Sequence, residues 1–303
     1  MNTPRMSILA ALLAATLVAP QALAQQAYPK PEDAAQALVD ALGTQKADAA
    51  KLTQVLGAQW RTFVPTEVER DDVDAFLAGY KSKHSLRNDA ADRVSLVVGP
   101  NDWSFPIPII KGADGWRFDL KGGAQEIRER RIGRNELAAV ESERAYHDAQ
   151  TEYAQNDRDD DGVLEYAQKV FSTDGLHDGL YWADDDSGEI SPLGPLFGGA
   201  ADAEDWHGYH FRILTAQGPS APGGAYNYML GKDMSRGFAL VAWPAKYGDT
   251  GVKTFMISHD GVIFEEDLGQ DSEAIAKAMK SFDPDSAWKE TETGDVATPA
   301  STP

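Results

Sequence analysis

The chain has 303 residues, room for one large domain or two small ones, and 42% of them are hydrophobic, enough to build a packed core. It carries 48 acidic against 28 basic residues, a formal charge of −20, whose field repels nucleic acid and anionic membrane surfaces and suits a chain that meets cations. There is no cysteine, which excludes disulfides, thiol catalysis, thiolate zinc sites and a lipid-bearing cysteine together.

Residues 1–24 read as a signal peptide. Arg5 gives the positive start, Ile8 to Val18 the apolar run, Pro20 the break, and Ala22-Leu23-Ala24 the small-x-small pattern of a cleavage site. The run is shorter than the ~20 residues needed to span a bilayer. Cleavage after Ala24 is therefore expected. The product is a periplasmic or secreted chain with no stable membrane insertion.

Residues 25–123 read as a small α+β domain. Ala35, Leu38, Val39 and Leu42 fall at i, i+3, i+4 and i+7, one stripe of a helix that Gly43 ends. Asp48 opens a second helix carrying Leu52, Val55 and Leu56, and Val73, Phe76, Leu77 and Tyr80 mark a third. Val94 to Val98 and Trp116 to Leu120 read as strands. Between them, Phe105 to Ile110 is extended but holds Pro106 and Pro108, which cannot donate to a ladder and belong at an edge or bulge.

Residues 124–288 read as a second domain. Gly122-Gly123 is expected to break the preceding strand, and a long helix to run from Ala124 to Ala154, kinked or split at Gly133. Four arginines, Arg128, Arg130, Arg131 and Arg134, gather near that glycine, where they neutralise carboxylates or hold an anion. A loop-rich stretch follows, then four strands: Tyr209 to Thr215, Phe238 to Trp243, Val252 to Ser258 and Val262 to Glu266. His259-Asp260-Gly261 joins the last two as a tight turn. A closing helix capped near Asp271 or Ser272 points Ile275, Met279 and Phe282 inward. Residues 289–303 form a polar, Thr- and Pro-rich tail expected to be disordered. The fold class is α+β, with a long central helix before a four-stranded antiparallel sheet.

The acidic turn after that helix is the best candidate site. Asp157, Asp159 and Asp161 alternate, with Gly162 next, as in the first half of a calcium loop: hard oxygens at this spacing curl around one Ca²⁺. Val163 would add a backbone carbonyl, and Glu165 occupies the ninth position. The twelfth is Gln168 rather than Glu, so the loop departs from the helix-loop-helix calcium hand. His207 and His210 are spaced like a pair of metal ligands, but strand positions three apart face opposite ways, so a shared metal would need a bend at Gly208. Trp182, Trp206, Tyr209 and Trp243, with Tyr226, either line a sugar- or peptide-binding face or build the core.

Nucleophile elbows, H-E-x-x-H, Walker A and G-x-G-x-x-G patterns do not occur. The residues thus point to a non-enzymatic binding protein, with calcium as its cofactor. The alternative is a periplasmic hydrolase or glycan-acting enzyme that uses paired carboxylates.

Two resemblances add to this. Trp103-Ser104-Phe105-Pro106-Ile107-Pro108, Arg131-Ile132-Gly133-Arg134-Asn135-Glu136, Asp159 to Ala167, and Gly237 to Pro244 resemble an exported bacterial family known only as domain of unknown function 2950. That resemblance covers about Tyr28 to Trp288 and brings no activity. Asn135-Glu136, Val140, Ser142, Arg144, Ala149-Gln150 and Tyr153-Ala154, with Gly208 to Phe211, Ala242-Trp243-Pro244 and Asp260 to Ile263, resemble type IV pilin-like and pseudopilin proteins. It implies a pilin-like module that binds or assembles with envelope or secretion-system proteins. The chain departs from the pilins before Asn135, where Glu126 to Arg131 replaces an apolar transmembrane half-helix.

Overall fold

A computed structural model describes residues 25–64, 68–185, 188–194 and 205–291. The expected signal peptide lies outside the described residues, as does the tail beyond Thr291. The chain divides into two compact units, with the boundary in sequence between Ala124 and Gln125. Among the described residues no helix is long and apolar enough to cross a membrane.

The first unit holds helices α1 (Pro31–Leu42), α2 (Ala49–Leu56), α3 (Trp60–Phe63) and α4 (Arg70–Ser82). Its strands are β1 (His84–Ala90), β2 (Arg93–Val98), β3 (Trp103–Ser104), β4 (Ile109–Gly112) and β5 (Gly115–Phe118). The antiparallel sheet runs β1-β2-β4-β5, with β3 on β2. Asp48 caps α2 as expected, accepting from the amides of Ala50 (2.9 Å) and Lys51 (3.1 Å). On α1 the buried stripe is Ala34, Ala35, Leu38 and Ala41, rotated away from the expected Val39 and Leu42. Three of those four are alanines, whose small side chains let the helix sit close to its neighbours. Strand β1 escaped the sequence reading because it is polar and exposed on both faces, an outer strand held by its ladder to β2. Pro106 and Pro108 fall between β3 and β4, outside any ladder.

Helix α5 (Leu120–Tyr153) has 34 residues and is about 51 Å long at 1.5 Å per residue. It corrects two expectations. It begins before Gly122-Gly123 and absorbs both: a Cβ on Gly123 would sit 2.9 Å from Ile107 Cα, so glycine serves close packing there rather than chain breaking. It also runs unbroken through Gly133. That glycine's cost of about 1 kcal/mol is offset by anchors on either side. Arg131 pairs with Asp249, Asn135 Nδ2 donates to Thr250 O (2.8 Å), and Glu136 Oε1 accepts the amides of Val252 (2.9 Å) and Lys253 (3.0 Å).

In the second unit α5 is followed by β6 (Tyr209–Leu214), β7 (Ala216–Gln217), β8 (Tyr226–Asn227), β9 (Ala239–Pro244), β10 (Thr254–Ser258), β11 (Ile263–Glu266), α6 (Ser272–Ala278) and β12 (Lys289–Glu290). The main sheet is antiparallel in the order β12-β11-β10-β9-β6, five strands where four were expected. The added strand corrects the start of the tail: Lys289 and Glu290 pair with Glu265 and Phe264, covering the edge of β11 and setting opposite charges across the ladder. The tight turn after β10 forms as expected, with Gly261 at φ 76°. Ile275 is 40% exposed, against expectation, and α6 instead buries Ser272 and Ala276. The helix ends at Ala278, so Met279 and Phe282 belong to the segment after it, where Phe282 is fully buried.

The core-facing stripe of α5 mixes apolar and polar side chains: Ala139, Glu143, Tyr146, Gln150 and Tyr153 are all buried. Gln150 replaces a missing strand neighbour. Its Nε2 donates to Ala167 O (2.8 Å) and its Oε1 accepts from Ala167 N (2.8 Å), while Nε2 also reaches the Tyr146 hydroxyl (2.9 Å). Gln150→Leu would leave both backbone groups of Ala167 buried and unpaired. The expected loss is about 2–4 kcal/mol, read by denaturant unfolding, with faster proteolysis between residues 154 and 166. Gly123→Ala is expected to cost about 1–3 kcal/mol through overpacking against Ile107.

Candidate metal centre and aromatic cavity

The acidic loop leaves α5 at Tyr153 and returns to the helix at Ala167, its two ends tied by Gln150. Asp160 (φ 58°) and Gly162 (φ 86°) take left-handed conformations that curl the chain. Asp157 Oδ2 accepts the Gly162 amide (2.8 Å), and Asp161 Oδ1 accepts the Val163 amide (2.9 Å). As a result Asp157, Asp159 and Asp161 each bring an oxygen to within 4.8 Å of the others. The predicted carboxylates thus converge, and Val163 joins them through its amide.

Glu165 stands beside them. Burial raises its pKa, the charges of Asp159 and Asp233 raise it further, and the Met234 amide pulls the other way. Two acceptor atoms of the group, Asp157 Oδ1 and Glu165 Oε2, are buried without a hydrogen-bond partner. The turn carrying Lys232 supplies the counter-charge. Its Nζ lies 2.8 Å from Asp159, 2.5 Å from Asp161 and 3.0 Å from Asp233. These contacts raise the Lys232 pKa, and the same hydrogen bond lowers that of Asp161. One ammonium contacts three carboxylates, with Asp157 converging on two of them and Glu165 nearby, so the donor set fits a hard divalent cation in charge and ligand type. Lys232 occupies part of that role.

The aromatic candidates separate. Trp206, Tyr209 and Trp243 line one cavity of about 400 Å³, with Phe171, Phe211 and Leu193. Tyr209 is fully buried and its hydroxyl donates to Lys253 O (2.9 Å), while Trp243 is 4% exposed, so both are wall rather than face. Trp182 is elsewhere, stacked on His177 at 4.1 Å with Arg158 over its ring at 5.1 Å. His210 packs against Trp243 and His207 against Trp206.

Three functional side chains were missed. Lys232 gave no signal, because the turn that carries it lies some seventy positions from its partners. Arg158 was hidden inside the acidic run: it leaves the turn to pair with Glu189 (2.9 Å) and to cover the Tyr153 ring. Gln150 had a legible clue, a buried-stripe position on α5 occupied by an amide. Carboxylates are also committed at the depression between α5 and β11, where Glu136 caps backbone amides and Glu265 pairs with Lys253 at 3.4 Å.

No curated protein and no solved structure matches the chain significantly. The model of one family, described as protein of unknown function (DUF2950), matches residues 25–291. The match covers most of the chain, both units included, and the chain belongs to the DUF2950 family.

Proposed function

We propose that the chain is an exported, non-catalytic protein whose second unit is a pilin-like module with a calcium-stabilised loop, binding or assembling with envelope or secretion-system proteins. The observation that carries the metal part is the convergence of Asp157, Asp159 and Asp161 within 4.8 Å, with Asp157 Oδ1 buried and unpartnered. A cation there would fasten the loop against the turn that carries Asp233. Export is supported by the charge, break and small-x-small pattern of residues 1–24. The module reading rests on the order of long helix, irregular loop and antiparallel sheet, together with the Asn135-Glu136 clasp. The chain's negative charge favours a partner with a basic surface.

Calorimetric titration with calcium, paired with thermal melts in calcium and in chelator, tests the clamp. Saturable binding should raise the melting point, by the equivalent of about 2.7 kcal/mol at a hundredfold excess over Kd. Asp159→Ala with Asp161→Ala should abolish both effects. Lys232→Met should melt lower than wild type in chelator and recover in calcium, because the cation replaces the lost ammonium. Absence of binding heat with unchanged melting would reject the metal. Deleting residues 1–24 should retain the chain in the cytoplasm; periplasmic recovery of that variant would reject the address.

A further inference from the structure

Glu143 sits midway along the buried stripe of α5, and its side chain is sealed from water: the residue is 0% exposed. Neither carboxyl oxygen has a hydrogen-bond partner. Its neighbours on the helix are provided for. Ser142 donates to Ala138 O (2.7 Å), Arg144 pairs with Glu141 (2.6 Å), and Gln150 binds Ala167. Glu136, one helical stretch earlier, accepts two amides. Glu143 has none of these outlets.

The groups around it offer no counter-charge. On α5 the titratable neighbour is Tyr146, and across the interface on β6 it is Tyr209. Both phenols are pushed up by burial, and an ionised Glu143 would push them further. Glu136 and Glu265 also act on Tyr209, and both are acids. The buried side chains of β9 and β10 are apolar apart from Thr254 and Ser258. An ionised Glu143 would therefore be a buried charge whose oxygens have no hydrogen-bond partner and no cation beside them, an unfavourable state. Burial accordingly raises its pKa well above the ordinary carboxyl value.

We propose that Glu143 is a proton-operated catch between α5 and the sheet, closed while its carboxyl is protonated and loosened when the carboxyl ionises. The sign follows from proton linkage. In a locally opened state the side chain meets water and releases its proton above the ordinary carboxyl range, near 4.5. The closed state keeps the proton to higher pH. Closure is thus fully favoured below the ordinary range and weakens as pH rises, until the closed form itself ionises. Within that window the open population grows by up to about tenfold per pH unit.

Amide hydrogen exchange over residues 139–150, corrected for intrinsic exchange chemistry, tests this between about pH 5 and about pH 9. In the wild-type chain, opening should increase with pH. In Glu143→Gln and Glu143→Leu the pH dependence of opening should flatten, and at the alkaline end the Leu variant should open less than wild type. The Leu variant keeps the test open if a buried amide prevents the Gln variant from folding. Just above the ordinary carboxyl range, wild-type protein should also show an infrared band of a protonated carboxyl that Glu143→Leu lacks. Parallel opening profiles in wild type and Glu143→Leu would overturn the proposal, as would absence of that band.

Discussion

Gln150 holds the second unit's geometry together by acting as a piece of backbone. Its amide group presents one donor and one acceptor to Ala167, the pairing a neighbouring strand would provide. The side chain is fully buried, so neither bond competes with water, and Tyr146 takes up a further donor bond. Closing the chain between residues 150 and 167 has two effects. It fixes Tyr166, whose amide then reaches Met234 O (2.8 Å), and this brings the Lys232 turn against the acidic loop. The loop's own bonds, Asp157 to Gly162 and Asp161 to Val163, gather its carboxylates, and Gln150 holds the ends of the segment together.

The same helix shows what a sequence discloses and what it conceals. Strands β6, β9, β10 and β11 were legible because they are apolar or alternating runs bounded by turn residues, and the acidic loop because its carboxylates lie two apart. The extent of α5 was misjudged because glycine was read by propensity alone. At Gly123 the close approach of Ile107 requires the missing Cβ, and at Gly133 the flanking contacts of Arg131, Asn135 and Glu136 decide. Strand β12 was invisible for a related reason: Lys289 and Glu290 have no strand pattern of their own and pair because β11 has an edge to cover. Local rules fail where a distant partner supplies the free energy.

At the candidate site, composition was readable and allocation was not. The aromatics read as one potential face divide between a cavity wall, Tyr209 and Trp243, and the stack of Trp182 on His177. Burial of Tyr209 and Trp243 leaves them little surface to offer, so most of their contribution is to packing. The acidic loop behaves oppositely. Its carboxylates are partly exposed and lie close together, an arrangement that repels itself unless a positive charge is supplied.

Two solutions to that repulsion coexist in this unit. Around the acidic loop the protein brings in a cation of its own, Lys232, on an exposed turn where its charge remains well hydrated. Exposure keeps such a bridge weak, since water and salt screen it. At Glu143 the carboxyl oxygens are buried without a hydrogen-bond partner, and burial raises its pKa, which favours the neutral acid. Both act on elements that Gln150 joins, because the loop and the buried stripe of α5 meet at that residue.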